Sequence, residues 1–229
     1  MRFLNALKSD MLFQFKHGFY TIYTVLTIFY VILLSYIPEG ISEIVAPLIL
    51  LSDPSVVGFF FIGGILMLEK NQGILDYILI TPLHLLEYLI SKIFSLTIIA
   101  LISSVIIAYG SGLPFHPIVL VSSILLISSF FTLLGFIVAL KCNTINQYFI
   151  KMIPFILLLI LPCFLILVIT DVWIIGMIPS VASVYLILGA FQGITLGEIA
   201  FYEISLLIGN ILCMFYIKNN IFNILYGGK

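Results

Sequence analysis

The chain has 229 residues, of which 63% are hydrophobic and only 8% are charged, and its formal net charge is -1. A soluble domain carries about 25% charged residues, so this composition excludes an ordinary water-soluble domain. The basic residues are spread along the chain instead of forming a patch, which argues against nucleic-acid binding. We therefore expect one all-α integral membrane domain, residues 1–229, embedded in the lipid bilayer.

Residues 1–18 precede the first apolar run and are mixed in character. Apolar side chains recur there at helical spacing: Leu4, Leu7, Met11 and Phe15. Polar side chains fall largely on the other faces: Lys8, Asp10, Gln14 and His17. This pattern predicts an amphipathic helix lying in the membrane interface. A poorly ordered basic leader is the alternative.

Six apolar runs follow, and most approach the ~20 residues needed to cross a bilayer as a helix. They are Tyr20–Ile37, Ser55–Leu68, Ile93–Tyr109, Ile118–Leu140, Met152–Ile169 and Ile199–Ile217. The second run is too short to cross alone, so we expect its helix to continue through Glu69 and Lys70 to Gly73. The sequence thus predicts six transmembrane helices.

All nine basic residues fall on one side of this arrangement. They occupy the N-terminus, every second loop and the C-terminus: Arg2, Lys8, Lys16, Lys70, Lys92, Lys141, Lys151, Lys218 and Lys229. The intervening segments carry only acidic charges: Glu39, Glu43, Asp53, Asp171 and Glu198. Basic residues near span ends are retained in the cytoplasm. We therefore expect a multi-pass protein of the cell (inner, plasma) membrane with both termini cytoplasmic.

The longest inner connection, residues 69–88, contains a short helical pattern. Gly73 permits a helix to stop, and apolar residues at helical spacing then form a stripe: Ile74, Leu75, Ile78 and Leu79. Thr81-Pro82 would end this short helix and open the next one, with Thr81 as its N-cap. Glu69 and Asp76 are expected to be exposed here, where a soluble partner can apply force.

The outer region, residues 171–198, is mostly apolar. Counting it as a seventh span would break the charge alternation. Pro179 divides it, which predicts two half-helices that re-enter the membrane or lie along its outer leaflet. Gly189, Gly193 and Gly197 recur every four residues, which indicates either a face for close helix packing or a coincidence.

Several kinds of chemistry have no support in the sequence. A phosphate-binding GxxxxGK[ST] loop is absent, and His17, His84 and His116 are isolated, so we expect no bound nucleotide, metal or other cofactor on this chain. Ionisable residues are missing from the middle of the spans, where proton- or sodium-driven carriers place their relays. An external energy source is therefore favoured.

The first span carries a stripe of hydroxyl groups within about a third of the helix circumference. Its members are Tyr20, Tyr23, Thr24, Thr27 and Tyr30, of which the last four are the candidate wall of a substrate path or a subunit contact. The stripe indicates ordinary helix packing, a subunit contact or the wall of a substrate path.

The inner connection and the topology together resemble the permease subunits of the ABC type-2 transporter family. The resemblance rests on Glu69-Lys70, then Gly73 to Leu79, then Thr81-Pro82-Leu83 and Glu87-Tyr88. In that family the stretch reads E(K/R)-x-x-G-(T/I)-L-(E/D)-x-L-x-x-(T/S)-P-(L), followed by E-Y-L. Ile78 stands where the family usually has Leu, which keeps the apolar stripe.

The resemblance implies a noncatalytic membrane subunit of an exporter for a hydrophobic or amphipathic substrate. Two six-span permeases would pair, as a homodimer or with a sister permease, and each would dock on a cytoplasmic ABC ATPase that holds ATP and Mg²⁺. The residues implied in coupling to the ATPase are Glu69, Lys70, Gly73, Asp76, Tyr77, Thr81 and Pro82.

Two other function classes stay open. One is a scaffold or sensor subunit that binds a membrane partner without moving a substrate. The other is a membrane enzyme acting on lipid, which would need clustered acid, base or metal-binding residues near the inner leaflet. Association with a phosphate-loop ATPase would separate the exporter from both.

Overall fold

The described part of this protein is all helical. The computed structural model describes residues 2–52, 56–74, 84–165 and 175–226. Within these ranges there are nine α-helices, a short 3₁₀ helix at Ile175–Met177 and no strand. The helices are α1 Arg2–Lys16, α2 Phe19–Tyr36, α3 Glu39–Leu50, α4 Val56–Asn71, α5 Leu85–Gly110, α6 Pro117–Leu140, α7 Ile145–Leu165, α8 Pro179–Gln192 and α9 Leu196–Tyr226.

Helix α6 is the centre of the bundle and packs against α4, α5, α7, α8 and α9. Helix α6 begins at Pro117. Proline is suited to this position because it has no backbone N–H, and the first N–H groups of a helix have no acceptor within it; the following residues are apolar or small. Leu120, Ile124 and Ile127 are fully buried. Ser123 Oγ donates within the helix to the Val119 carbonyl oxygen at 2.6 Å, whereas Ser129 Oγ also donates to Asn210 Oδ1 of α9 at 2.9 Å.

Helices α4 and α6 approach each other closely at Gly135. A Cβ atom at this position would lie 2.6 Å from the Phe59 carbonyl oxygen of α4, closer than side-chain atoms sit in practice. Tyr148 of α7 is buried against the same helix and donates its hydroxyl to the Phe59 carbonyl. The core therefore contains a close backbone contact between α4 and α6, and Tyr148 packs beside this contact.

The loops that carry basic residues meet at one end of the bundle, which we call the basic end. Lys70 Nζ contacts Asn143 Oδ1 at 2.5 Å, and Lys141 Nζ lies 5.7 Å from the centre of the Tyr216 ring. At the opposite end, the His116 backbone N–H donates to the Ala190 carbonyl at 2.8 Å. Basic residues that are far apart along the sequence thus lie together at one end of the molecule.

Four described helices are long and apolar enough to cross a membrane: Phe19–Tyr36, Leu86–Gly110, Pro117–Leu140 and Leu196–Asn220. Helix α4 has 16 residues, and the apolar helix Ile145–Leu159 within α7 is also shorter than these. The protein is therefore a multi-pass helical membrane protein, and the six-span arrangement stays a prediction.

Helix α5 begins eight residues before the apolar run Ile93–Tyr109, but three residues after the start predicted at Pro82. It starts at Leu85 with His84 at the N-cap position, so the cap predicted at Thr81 is wrong. The His84 backbone N–H donates to Glu87 Oε2 at 3.0 Å, which satisfies one of the free donors of the first turn. As a result Lys92, expected just before a span, lies inside the helix.

The segment between α2 and α4, which carries acidic residues in the sequence, is mostly helical. Pro38 occupies the N-cap position of α3, and the helix continues through Pro47. It packs against α2, α5 and α8. Pro38 therefore starts a new helix, because proline is tolerated at a helix N-terminus.

The outer region matches its prediction in part. Helix α8 begins at Pro179, packs against α3, α6, α7 and α9, and ends where Gly193 adopts a φ of 92°. It has 14 residues, too few to cross a bilayer. Of the predicted first half-helix, residues 171–174 lie outside the described residues, and Ile175–Met177 forms the short 3₁₀ helix. The common glycine face is wrong, because Gly189 lies in α8, Gly193 ends it and Gly197 belongs to α9.

Candidate functional site

The most unusual feature of the basic end is a lysine buried within a helix. Lys92 lies two turns into α5, and its side chain is 1% exposed. Its Nζ contacts Asp10 Oδ1 of α1 at 2.8 Å and Glu69 Oε1 of α4 at 2.5 Å. The Asp10 and Glu69 side chains are 11% and 4% exposed. One ammonium group thus joins three helices that are separate in sequence.

Two hydroxyl groups of α5 complete this buried charge cluster, which we define as Asp10, Glu69, Tyr88, Ser91 and Lys92. Tyr88 Oη donates to Glu69 Oε2 at 2.5 Å, and Ser91 Oγ donates to Asp10 Oδ2 at 2.5 Å. Each of the four carboxylate oxygens therefore accepts a hydrogen bond. Lys92 Nζ also lies 4.6 Å from the centre of the Tyr88 ring, within the range of a cation–π contact.

The electrostatics of the cluster make its members depend on one another. Taking charges out of water costs several kcal/mol per ion, and this cost is recovered only with good geometry and satisfied lone pairs. Here two carboxylates share one ammonium group, so the cluster carries a formal charge of -1 in the ionised state. Removal of Lys92 would leave two buried carboxylates facing each other without a cation.

A second contact reinforces the attachment of α1 to α5. Gln14 Nε2 donates to Ser95 Oγ at 2.6 Å, one turn along both helices from the Asp10 contact. Both side chains are buried. Helix α1 therefore turns its polar face toward the protein, while Leu4 and Phe15 of its apolar face are 65% and 72% exposed. That orientation fits a helix whose apolar face meets lipid.

The charge cluster also joins the two flanks of the inner connection. Glu69 lies in the last turn of α4, and Tyr88 and Lys92 lie in the first two turns of α5. Gly73 follows α4 with a φ of 69°, a left-handed conformation that favours glycine and ends the helix. The inner connection therefore leaves α4 at Gly73 and re-enters the bundle at His84. The helices on its two sides, α4 and α5, are joined by the contacts of Glu69 with Tyr88 and Lys92.

The end of α4 contacts two further segments of the basic end. Lys70 Nζ reaches Asn143 Oδ1 at 2.5 Å and the Cys142 carbonyl oxygen at 3.4 Å in the loop between α6 and α7. Gln72 Nε2 lies 3.3 Å from His17 Nε2 at the end of α1. Burial raises the pKa of the Cys142 thiol, and the nearby Lys151 and Lys70 act in the opposite direction.

The predicted coupling residues divide into two groups. Glu69, Lys70 and Gly73 lie at the end of α4, whereas Asp76, Tyr77, Thr81 and Pro82 lie outside the described residues. The exposed position predicted for Glu69 is wrong, because its partners on α1 and α5 bury it. Lys70 is exposed, as its place in an inner loop predicted.

The hydroxyl stripe of α2 does not lie on one surface of the chain. Tyr23 is buried edge-on against Phe61 of α4, with ring centres 4.9 Å apart. Thr27 is buried, and its hydroxyl donates to the Tyr23 carbonyl at 2.7 Å. Thr24 is exposed and donates to the Tyr20 carbonyl at 2.8 Å, while Tyr30 is half-buried. Within this chain the stripe therefore combines packing residues with an exposed one.

Sequence reasoning missed most of the charge cluster. Lys92 was interpreted as a loop residue, and Asp10 as part of a solvated polar face. One signal was available: Tyr88, Ser91, Lys92 and Ser95 follow the i, i+3, i+4, i+7 spacing of a helix face. This spacing indicates a polar stripe at the start of a span, but it does not name the helices that face it.

The described residues form a bundle of apolar helices with a charged, hydrogen-bonded junction at one end, which is the architecture of a multi-pass membrane protein. A family model for fluoroquinolones export permease proteins matches residues 1–225. The chain belongs to this family. Two fluoroquinolones export permease proteins of Mycobacterium tuberculosis, from strains CDC 1551 / Oshkosh and ATCC 25618 / H37Rv, are each 27% identical to it over 200 residues. The alignments cover 85% of this chain and 83% of each relative.

Proposed function

We propose that this protein is the membrane-spanning permease subunit of an ABC exporter. A separate cytoplasmic subunit hydrolyses ATP, and this chain moves a hydrophobic or amphipathic substrate outward. Membership of an export permease family over nearly the whole chain supports this function. The names of the two relatives make fluoroquinolones the first substrates to test.

The observation that carries the coupling part of this proposal is the Glu69–Lys92 ion pair between the flanks of the inner connection. A force applied to residues 75–83 acts on the end of α4 and the start of α5 at once, because a buried ion pair holds these two helices together. Lys92 passes the same force to α1 through Asp10. Since α1 leads directly into α2, the first span would move with it.

The assembly follows from the same proposal. Six spans would place both termini in the cytoplasm, with the basic end facing inward, in accordance with the retention of basic residues on that side. Two permeases, identical or sister chains, would then surround the substrate path. The chain acts as a transport subunit, and ATP and Mg²⁺ belong to the partner ATPase.

The first experiment tests the partner. The full chain, tagged after Lys229 and purified in mild detergent from its own host, should bring down a phosphate-loop ATPase, and ATP turnover in the purified complex should rise when a fluoroquinolone is added. An ATPase that associates without any effect of substrate on turnover, and without transport in proteoliposomes, would favour a scaffold or sensor instead. Absence of any associated ATPase would contradict the proposal.

A variant then tests the site of coupling. Asp76→Ala should lower substrate-stimulated ATP turnover, whereas Asn71→Ala, an exposed change at the end of α4, should not. Both should insert normally, because Asn71 is exposed and Asp76 is expected to be, and exposed substitutions usually change stability by about 0.5 kcal/mol or less. Full turnover and transport by Asp76→Ala would place the transmission point elsewhere.

A further inference from the structure

Helix α1 and the start of α2 enclose a shallow apolar groove on the outside of the basic end. It is lined by Leu4, Leu7, Lys8, Met11, Leu12, Phe15 and Tyr20. Its volume is about 460 Å³, within the range of ~300–1,000 Å³ that small-molecule sites occupy. The groove is open along one side, so a long flexible chain can enter it without any movement of the helices.

The charges around this groove are asymmetric. Lys8 is the one charged residue that lines it, and no carboxylate is among the lining residues. Asp10 is the acidic residue of α1, and it faces away, into the ion pair with Lys92. The charge cluster therefore removes the negative charge of α1 from its surface and leaves the basic residues there unopposed.

We propose that this groove binds an anionic phospholipid, with an acyl chain along the apolar residues and the headgroup phosphate at Lys8. The occupant follows from the chemistry of the lining: the apolar residues favour a hydrocarbon chain, and the exposed ammonium of Lys8 at the edge favours an anionic headgroup. The exposed Leu12 and Phe15 lie on the side of α1 that turns away from the protein, where lipid would meet it. This inference does not depend on the ATPase or on transport.

The test measures lipid retention by native mass spectrometry on the full-length chain, purified in detergent with equal amounts of phosphatidylglycerol and phosphatidylcholine. The wild type should retain phosphatidylglycerol preferentially. Lys8→Gln should lower that preference about fivefold, the change that corresponds to ~1 kcal/mol for one basic residue at an anionic lipid surface. Lys8→Arg should restore it. Lys16→Gln, an exposed change on the same helix outside the groove, is the matched control and should have a smaller effect.

A second variant separates the acyl chain from the headgroup. Leu12→Gln keeps the charge at Lys8 but makes the channel polar, so it should lower the retention of both lipids. Because Leu12 is 60% exposed, this change should leave the melting temperature unchanged. Excess glycerol phosphate should not displace the bound lipid if the acyl chain contributes to binding.

Three results would overturn the proposal. Equal losses in Lys8→Gln and Lys16→Gln would mean a diffuse attraction of α1 for anionic lipid without a specific site. Displacement of lipid by glycerol phosphate would mean a simple phosphate contact. Unchanged lipid retention together with a change of oligomeric state in Leu12→Gln would mean that a second copy of the chain covers the groove.

Discussion

Lys92 and Glu69 form a buried ion pair across the inner connection, with 2.5 Å between Lys92 Nζ and Glu69 Oε1. The pair closes a loop of the chain at its base, because Glu69 ends one helix and Lys92 lies near the start of the next. Asp10 shares the same ammonium group from α1. Three helices at the basic end therefore depend on one side chain, and this dependence leads to the first two predictions.

Lys92→Met should strongly destabilise the protein. The substitution keeps most of the side-chain volume but leaves Asp10 and Glu69 buried without a cation, and loss of one partner of a buried pair costs about 3–5 kcal/mol. Thermal unfolding of the detergent-solubilised chain should show a clear decrease in melting temperature. Lys70→Met is the control: its lysine is exposed, so the cost should stay below about 1 kcal/mol. Equal melting temperatures for the two variants would contradict the role assigned to the cluster.

Asp10→Asn and Glu69→Gln should each be milder than Lys92→Met. Either amide leaves one carboxylate paired with Lys92 and removes the excess negative charge of the cluster. Asp10 has the longer contact and the more exposed side chain, so Asp10→Asn should be the better tolerated of the two. Proteolysis at α1 provides the second measurement, since only Asp10→Asn should increase cleavage there. A greater loss from Asp10→Asn than from Lys92→Met would refute this order.

Gly135→Ala should destabilise the contact between α4 and α6. Its Cβ would lie 2.6 Å from the Phe59 carbonyl oxygen, and backbone at that distance must move. Overpacking of this kind typically costs about 1–3 kcal/mol. Gly64→Ala in α4 is the matched control, because its nearest neighbour would be the Phe19 ring at 3.9 Å. That change should be neutral or stabilising, since alanine favours a helix more than glycine does.

The orientation of the chain is tested by chemical access from each side. A reporter that is active only in the cytoplasm should be active when fused after Lys229. A cysteine at Ser111, in the turn between α5 and α6, should react with an impermeant thiol reagent added outside intact cells. Cys142 should contribute little background, because it is buried and its thiol pKa is raised. An extracellular C-terminus would rule out six spans with both ends inside.

The hydroxyl stripe of α2 is tested best at its exposed member. Thr27→Trp would overpack the interior around α2, because Thr27 is only 6% exposed. Thr24→Trp adds the same bulk on the exposed face and should block export if that face lines the substrate path. Assembly with the ATPase serves as the control for folding. Normal export by Thr24→Trp, with an inert cysteine at Thr24 in every nucleotide state, would leave the stripe a packing surface.

The sequence by itself determined the class of the protein and the grouping of its basic residues at one end. Runs of apolar residues must form helices in a bilayer, because every backbone N–H and C=O group needs a partner there. The alternation of basic loops follows from position along the chain alone, and the contacts of Lys70, Lys92 and Lys141 place these residues at one end. Pro179 marked the start of α8 for a similar local reason, since proline fits the first turn of a helix.

Only the tertiary structure decided which polar residues would be buried together. Asp10 and Lys92 are 82 residues apart, and no local pattern shows that they face each other. The start of α5 at Leu85, eight residues before the apolar run, moved Lys92 from an expected loop into the core. Hydropathy marks where a span becomes apolar, whereas a helix begins where its first turn is capped. A charged residue between the capped start of a helix and the start of its apolar run can be buried only when other helices place opposite charges beside it. Which helices do so is decided by the fold.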